Sequence, residues 1–414
     1  MGDVLPEGTP VQSGTFAAFK HRNYRLLWAG NLISNSGDWL DQVALNWLVI
    51  STTDSPVYLG LVNMARGLPL VFFALVGGVV ADMVDRRLLL MITQSCAMLF
   101  AVLLAVLVYM GDAPIWAILL LATGRGIVIA FNTPARHSLI SELVPRHDLP
   151  SAVALNSVVF NISKVIGPLL AAAIISAFGT AACFLANALS FTVVLVMLLM
   201  IRLPAKAVRA ARRESFLASM TQGVRYVRND SVLLLLVLVA LVPTFFAQPY
   251  LQLLAMFAHD VFHVGSTGLG VMVSVAATGS IAGGLFAAWV QREARTGSAM
   301  LLFMGGFGLA LMLFSMSPSY ALAIPLLFLA GAMHIAYNSS NNTVLQMTTD
   351  DAYRGRVLSI LFTARGLVSL GTAATATLAA FAGARASMAL MAGVVVLFAI
   401  VLWTRAPRLR NLRV

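Results

Sequence analysis

The chain has 414 residues, 60% of them hydrophobic and only 10% charged, where a soluble chain is roughly 45–50% apolar and about 25% charged. No soluble core hides that much apolar surface, so lipid is the solvent for most of this chain. The net charge of +11 raises nucleic acid as a partner, but the positions of the basic residues exclude it.

Residues 1–25 form a polar lead, and the first apolar run covers 26–50 without a small-residue cleavage site. It reads as a retained span and not as a signal peptide. On it Asn31, Ser34, Asn35, Asp38, Asp41 and Gln42 fall at steps of three and four, one polar stripe along an apolar helix. Such a stripe must face protein or water. The second run, 57–81, carries Arg66 and closes on Gly77-Gly78. The third, 88–110, holds Cys96. The fourth, 115–135, carries Arg125 and Asn132, with Arg136 just beyond. The fifth, 151–176, contains Lys164 and Gly167-Pro168, and the sixth, 180–201, holds Cys183. Both cysteines sit in apolar runs, which argues for small buried hydrophobes and against a disulfide framework or a metal site.

The longest polar interval is 203–230. Arg209, Arg212 and Arg213 precede Phe216, Leu217, Met220, Val224 and Val227 at helical spacing, which predicts a cytoplasmic linker ending in an amphipathic surface helix. Beyond it the runs resume at 231–257 (Gln248, Gln252), 268–290, 298–317, 320–346 (His334, Asn338, Asn341, Asn342), 357–382 (Arg365) and 387–404. A basic tail, 405–414, ends the chain.

Each run is long enough to cross a bilayer, for which ~20 residues suffice. The expected fold is therefore an all-α membrane protein of twelve transmembrane helices. With residue 1 inside, 22 of the 27 basic residues lie on inner segments and only Arg385 lies in an outer loop. That bias places both termini in the cytoplasm of a bacterial-type inner membrane. The basic excess is topological. The halves also look related: Gly77-Gly78 recurs as Gly283-Gly284, and Asn132 and Leu139 recur as Asn338 and Leu345, all at one shift of 206 residues. The expected organisation is two pseudo-symmetric six-helix bundles, 26–202 and 231–404, around the 203–230 linker. In folds built of parallel repeats the substrate site lies between the halves near the bilayer midplane.

Charges inside spans are costly and mark functional sites. At 1.5 Å per residue, Asp38 lies roughly 18 Å below the outer end of its span and Arg125 roughly 16 Å, while Asp41 and Arg66 both lie roughly 13–14 Å down. Depth thus matches Asp38 with Arg125 and Asp41 with Arg66. A carboxylate whose arginine partner moves away between conformations binds and releases a proton once per cycle, which makes these four residues the candidates for proton coupling. Asn31, Asn35, Gln42, Asn132, Gln248, Gln252, His334, Asn338 and Asn341 are the candidates for the substrate cavity, although polar residues of this kind also knit helices together.

The inner end of the second span reads Gly78-Val-Val-Ala-Asp82-Met83-Val-Asp85-Arg86-Arg87. This resembles the major facilitator superfamily signature between spans two and three: a glycine, an aspartate four on, and a basic pair. Asp85 stands where many members have glycine and Met83 where a basic residue is common. The resemblance implies a conformational latch of Gly78, Asp82, Asp85, Arg86 and Arg87, with Gly78 allowing close helix approach and Asp82 facing the N-terminus of the eleventh span near Arg356. The second-half counterpart, Gly284 to Glu293, has Ala288 in place of Asp82. Phe19 to Trp28, Gly37-Asp38-Trp39, Asn132 to Arg136, Leu149 to Asn156 and Ile166-Gly167-Pro168 resemble the branch of enterobactin-type siderophore exporters and macrolide-efflux proteins. Gly167-Pro168 is also similar to the antiporter motif of drug exporters, implying a bend in the fifth span, but the later glycines are missing and Lys164 stands where arginine is commoner.

These resemblances imply a proton-coupled exporter of a bulky, partly apolar small molecule, monomeric, with the proton gradient as energy source and no cofactor, metal, nucleotide or nucleic acid. A lysolipid flippase or an organic-solute importer of the same fold stays open. So does an integral membrane enzyme or receptor, against which stands the lack of a Walker loop, a His-Glu-x-x-His pair or a supported Ser/His/Asp spacing.

Overall fold

The structure, a computed structural model, describes residues 14–201, 216–290, 296–364 and 366–412. Its helices are α1 (Arg22–Thr53), α2 (Pro56–Met83), α3 (Arg86–Tyr109), α4 (Ile115–Leu143), α5 (Leu149–Phe178), α6 (Thr180–Met200), α7 (Phe216–Asn229), α8 (Ser231–Phe246), α9 (Tyr250–Met256), α10 (Gly265–Val290), α11 (Thr296–Met316), α12 (Tyr320–Thr348), α13 (Asp351–Ala364), α14 (Gly366–Arg405) and α15 (Pro407–Arg410). Among the described residues, ten helical stretches are long and apolar enough to cross a membrane. Helix α1 falls outside that ten because its polar stripe dilutes its apolar content. The last of the ten, Tyr353–Arg405, reverses at Gly383, whose φ of 81° lies in the left-handed region, so it makes two passes. Adding α1 and this second pass gives the twelve spans.

Local chemistry sets several helix starts. The Asp85 carboxylate accepts from the Leu88 N–H and caps α3, and that of Asp230 accepts from Val232 and Leu233 and caps α8. Proline stands in the first turn of α2 and of α5.

Three boundaries differ from those read in the sequence. The seventh span is not one helix: α8 ends at Phe246, Ala247–Pro249 form a turn, and α9 runs into a π-helical turn over Phe257–Val261. Pro243 and Pro249 supply no N–H there. The eleventh span begins at Asp351, before Arg356. The third concerns the linker, whose basic stretch Arg209, Arg212 and Arg213 lies outside the described residues, while α7 beyond it packs on protein. Gly223 abuts Arg356, Tyr226 stacks on Tyr353 at 4.2 Å, and its hydroxyl donates to Asp350 at 3.0 Å.

Within each bundle, glycines let helices meet backbone to backbone. A Cβ on Gly77 would lie 2.3 Å from the Ala130 carbonyl oxygen, and one on Gly126 2.2 Å from that of Arg66, joining α2 to α4. The second bundle repeats this between α10 and α12, through Gly283 on Ala332 and Gly331 on Ala276. Gly78 has open space around it, so Gly77, not Gly78, is the close-approach residue.

Between the bundles, α2 meets α14 at Gly60, Gly67 and Val71, and α5 meets α10, where Ser274 donates to the Val165 carbonyl at 2.8 Å and Gly270 abuts Pro168 and Ala172. Asp54 of α1 and His259 of the π-turn come within 3.7 Å, and the Trp47 ring meets His259 edge-on at 5.7 Å. These contacts run from mid-span to the end opposite the basic residues Arg22, Arg87, Arg146 and Arg405.

Candidate substrate and coupling site

The α1 stripe faces inward, against α2, α4 and α5. Arg125 of α4 donates to Asp38 Oδ1, lies 4.7 Å from the Phe191 ring centre, and keeps its Nε buried with no partner among the described residues. Arg66 of α2 donates to Asp41 Oδ2 at 2.7 Å. The two acids differ in access: the Asp38 side chain is 30% exposed and that of Asp41 8%. One turn below Asp38, Arg136 donates to Asn35 Oδ1 and to Asn132 Oδ1, both at 2.9 Å, and Asn132 donates onward to Thr93. Arg136 has no carboxylate ligand among the described residues, yet lies within electrostatic reach of both Asp38 and Arg125.

Of the other cavity candidates, Gln42 and Gln252 line the space between the bundles. Gln42 donates to Asn63 at 3.0 Å and to Asn46 at 3.3 Å, and Asn63 donates to Asn46. This amide knot joins α1 to α2. The sequence reading missed it, although Asn46 follows Gln42 by one turn on the same stripe. Asn31 is buried at 2% exposure. Gln248 falls in the turn between α8 and α9, not on a helical stripe, while Gln252 of α9 lines the space between the bundles with its Oε1 buried and without a partner among the described residues. His334 packs in an aromatic cluster of the second bundle, stacked on Phe307 at 5.0 Å and beside Tyr337 and Tyr250, with neither ring nitrogen bonded among the described residues. Asn342 donates to Asn338, and Asn341 is buried, its Oδ1 without a partner among the described residues.

In the signature segment, the Asp82 side chain and Arg365 lie outside what is described. Asp85 caps α3, Arg86 pairs with Glu142 of α4, and Arg87 donates to the Leu199 carbonyl of α6 at 3.0 Å. The two arginines tie helices within the first bundle. Gly167 is packed so tightly that a Cβ would stand 2.5 Å from the Trp39 Cβ and 2.6 Å from the Ser36 carbonyl oxygen. Helix α5 is assigned continuously through Pro168, and Gly167 and Pro168 form a close seam with α1 and α10. The cysteines are unpaired, Cys183 buried and Cys96 half-buried.

The family profile described as transmembrane secretion effector matches residues 13–413. The chain belongs to this family of major facilitator transporters. It is 29% identical to the staphyloferrin A transporter of Staphylococcus aureus, over 81% of this chain and 84% of that one. It is 27% identical to the multidrug efflux pump Tap of Mycolicibacterium fortuitum, over 92% and 95%. Its fold is similar to that of a bacterial homologue of the human lysosomal transporter Spinster, with a TM-score of 0.74 at 17% identity over 94% of this chain and 98% of that one. The secretion effector is thus a multi-pass membrane transporter, and not an enzyme.

Proposed function

We propose that this secretion effector is a proton-coupled exporter of a bulky, partly apolar small molecule. It works by alternating access in a bacterial-type inner membrane, as a monomer, with both termini cytoplasmic and the proton gradient as its energy source. The observation that carries the reading is the Asp38–Arg125 pair, two charges from different helices joined halfway along their spans. A carboxylate held by a guanidinium stays ionised, and one that loses it in an apolar surrounding takes up a proton. Asp38 is the carrier because its carboxylate is the more open of the two acids, and Arg136 stands by as a second cation when Arg125 moves. Asp41 and Arg66 form a static, closed pair.

The interbundle contacts run from mid-span to the end opposite the basic residues, and a space closed there and open to the cytoplasmic side would be the loading state of an exporter. Gly78, Asp82, Asp85, Arg86 and Arg87 would set the balance between states and would not touch substrate. The named activities of the relatives, a siderophore transporter and a drug pump, support export.

The test is uncoupler-sensitive transport in everted vesicles, with siderophores and macrolides as probes and protein levels matched. Asp38→Asn abolishes gradient-driven transport and keeps binding, whereas Asp41→Asn retains transport in proportion to folded protein. Full transport in Asp38→Asn with loss in Asp41→Asn moves the role to Asp41, and full transport in both removes the carrier from α1.

A further inference from the structure

The charge inside the spans does not balance. The cations are Arg66, Arg125, Arg136 and Lys164 and the acids are Asp38 and Asp41, among the described residues. Each acid is already held by an arginine. The second bundle offers no replacement at mid-span, because the acids after residue 230 are Asp260, Glu293, Asp350 and Asp351, which stand at span ends or in the segments between spans. Among the described residues, Lys164 therefore has no carboxylate partner within the membrane. It is nonetheless 8% exposed, where an unpaired charge is expensive.

Its surroundings are those of a binding site. The ammonium lies 5.7 Å from the Trp39 ring centre, and Trp39 meets Phe160 edge-on at 6.2 Å. Trp39 also lines the cavity between the bundles, together with Gln42, Asn46, Leu251, Gln252 and Val273. There the Gln252 Oε1 is buried without a partner among the described residues. One turn beyond Lys164, Gly167 and Pro168 close against Ser36, Trp39 and Gly270. Lys164 thus stands at mid-span beside two large rings, one of which lines the cavity between the bundles.

We propose that Lys164 is the recognition cation of an anionic substrate, an oxyanion carried on a partly apolar body that lies against Trp39 and Phe160. The proposal rests on the exporter reading for the substrate's direction of travel, but not for its binding. The substrate's carboxylate or phosphate supplies the counter-charge that the chain lacks. A cationic substrate would add to an existing positive excess.

The test is calorimetric titration of the full chain in maltoside micelles at neutral pH with three matched probes: 2-naphthoate, methyl 2-naphthoate and naphthylmethylammonium. In the wild type, naphthoate binds saturably, and the ester and the ammonium bind at least ten-fold more weakly. Lys164→Gln lowers naphthoate affinity at least ten-fold and leaves the ester unchanged, while Lys164→Arg stays within about three-fold of wild type. No naphthoate binding, an equal or tighter ester or ammonium, or a Lys164→Gln variant that binds like wild type overturns the proposal. If Lys164→Gln fails to fold, Lys164→Arg together with the wild-type probe ranking decides. Competition by lysophosphatidylglycerol but not lysophosphatidylcholine assigns the oxyanion to a lipid headgroup, and the absence of competition assigns it to a soluble solute. Asp38→Asn in the same titration separates the two readings. Naphthoate binding that persists while export is missing even in wild type sinks the exporter alone, and export of a cationic drug with no anion binding sinks only the Lys164 assignment.

Discussion

At the scale of single residues, contacts that require glycine are the most exposed to test. The sequence marks Gly77-Gly78 as a pair but does not say which member faces the partner helix, because that depends on how α2 rotates against α4. In the structure a Cβ on Gly77 meets the Ala130 carbonyl, whereas one on Gly78 meets nothing within 4 Å. Overpacking a tight contact costs about 1–3 kcal/mol. Gly77→Ala should therefore melt several degrees below wild type in detergent, and Gly78→Ala should melt like wild type; equal melting of both variants would contradict the rotation described for α2. Depth along the spans was enough to match Asp38 with Arg125 and Asp41 with Arg66, since the helical rise fixes height. Depth says nothing about azimuth. That is why the bonds of Gln42 to Asn63 and Asn46 were not read, although Gln42 does line the space between the bundles, and why the isolation of Lys164 becomes visible only once both acids are seen to be taken.

At the scale of elements, composition located all twelve spans, because a run of about 20 apolar residues has few alternatives in water. The break at Ala247–Pro249 was not legible, since apolar residues continue through it and only Pro243 and Pro249 hint at interruption. The clamp between the start of α1 and the start of α5 also escaped notice, as its members are 127 residues apart. His21 bonds Asp148 at 2.8 Å, Tyr24 donates to the Ala152 carbonyl at 2.8 Å, and Trp28 donates to that of Leu155 at 3.1 Å. The His21 hydrogen bond, helped by the charges of His147 and Lys20, holds the Asp148 carboxyl below the usual carboxylate range. A depressed carboxyl stabilises the fold above its unfolded pKa, and the contribution is lost as pH falls through the folded value. Hydrogen exchange over residues 17–28, corrected for intrinsic rates, should stay constant from neutrality down to about pH 4, the ordinary carboxylate value, and rise below it. Asp148→Asn should show the raised exchange already at neutral pH. A pH-independent profile in which the variant matches wild type would remove Asp148 from the clamp.

At the scale of the whole molecule, the two bundles rest on each other along two seams, α2 with α14 and α5 with α10, and a strap of Asp54, Trp47 and His259 lies over them. If alternating access operates here, the state facing the basic side exists because these seams are closed, so a residue that cannot be accommodated in a seam shifts the balance without touching the charged pairs. Gly270 is such a place: a Cβ there would lie 2.5 Å from both the Pro168 carbonyl oxygen and the Ala172 Cβ. Leucine at 270 adds bulk that the closed seam excludes and an opened seam accepts. An overpacking cost of about 2 kcal/mol borne by one state alone changes the ratio of states by roughly 30-fold. Spin labels at Asp112 and Ala382, on the far end of the two bundles, and at Ser141 and Met347, toward the basic end, report the two sides separately once Cys96 and Cys183 are replaced by serine. In Gly270→Leu the first distance should lengthen and the second shorten, and Gly60→Leu in the α2–α14 seam should do the same. Movement at one end alone would mean a local distortion of the seam, and no movement at either end would mean that the seams are packing and not a gate.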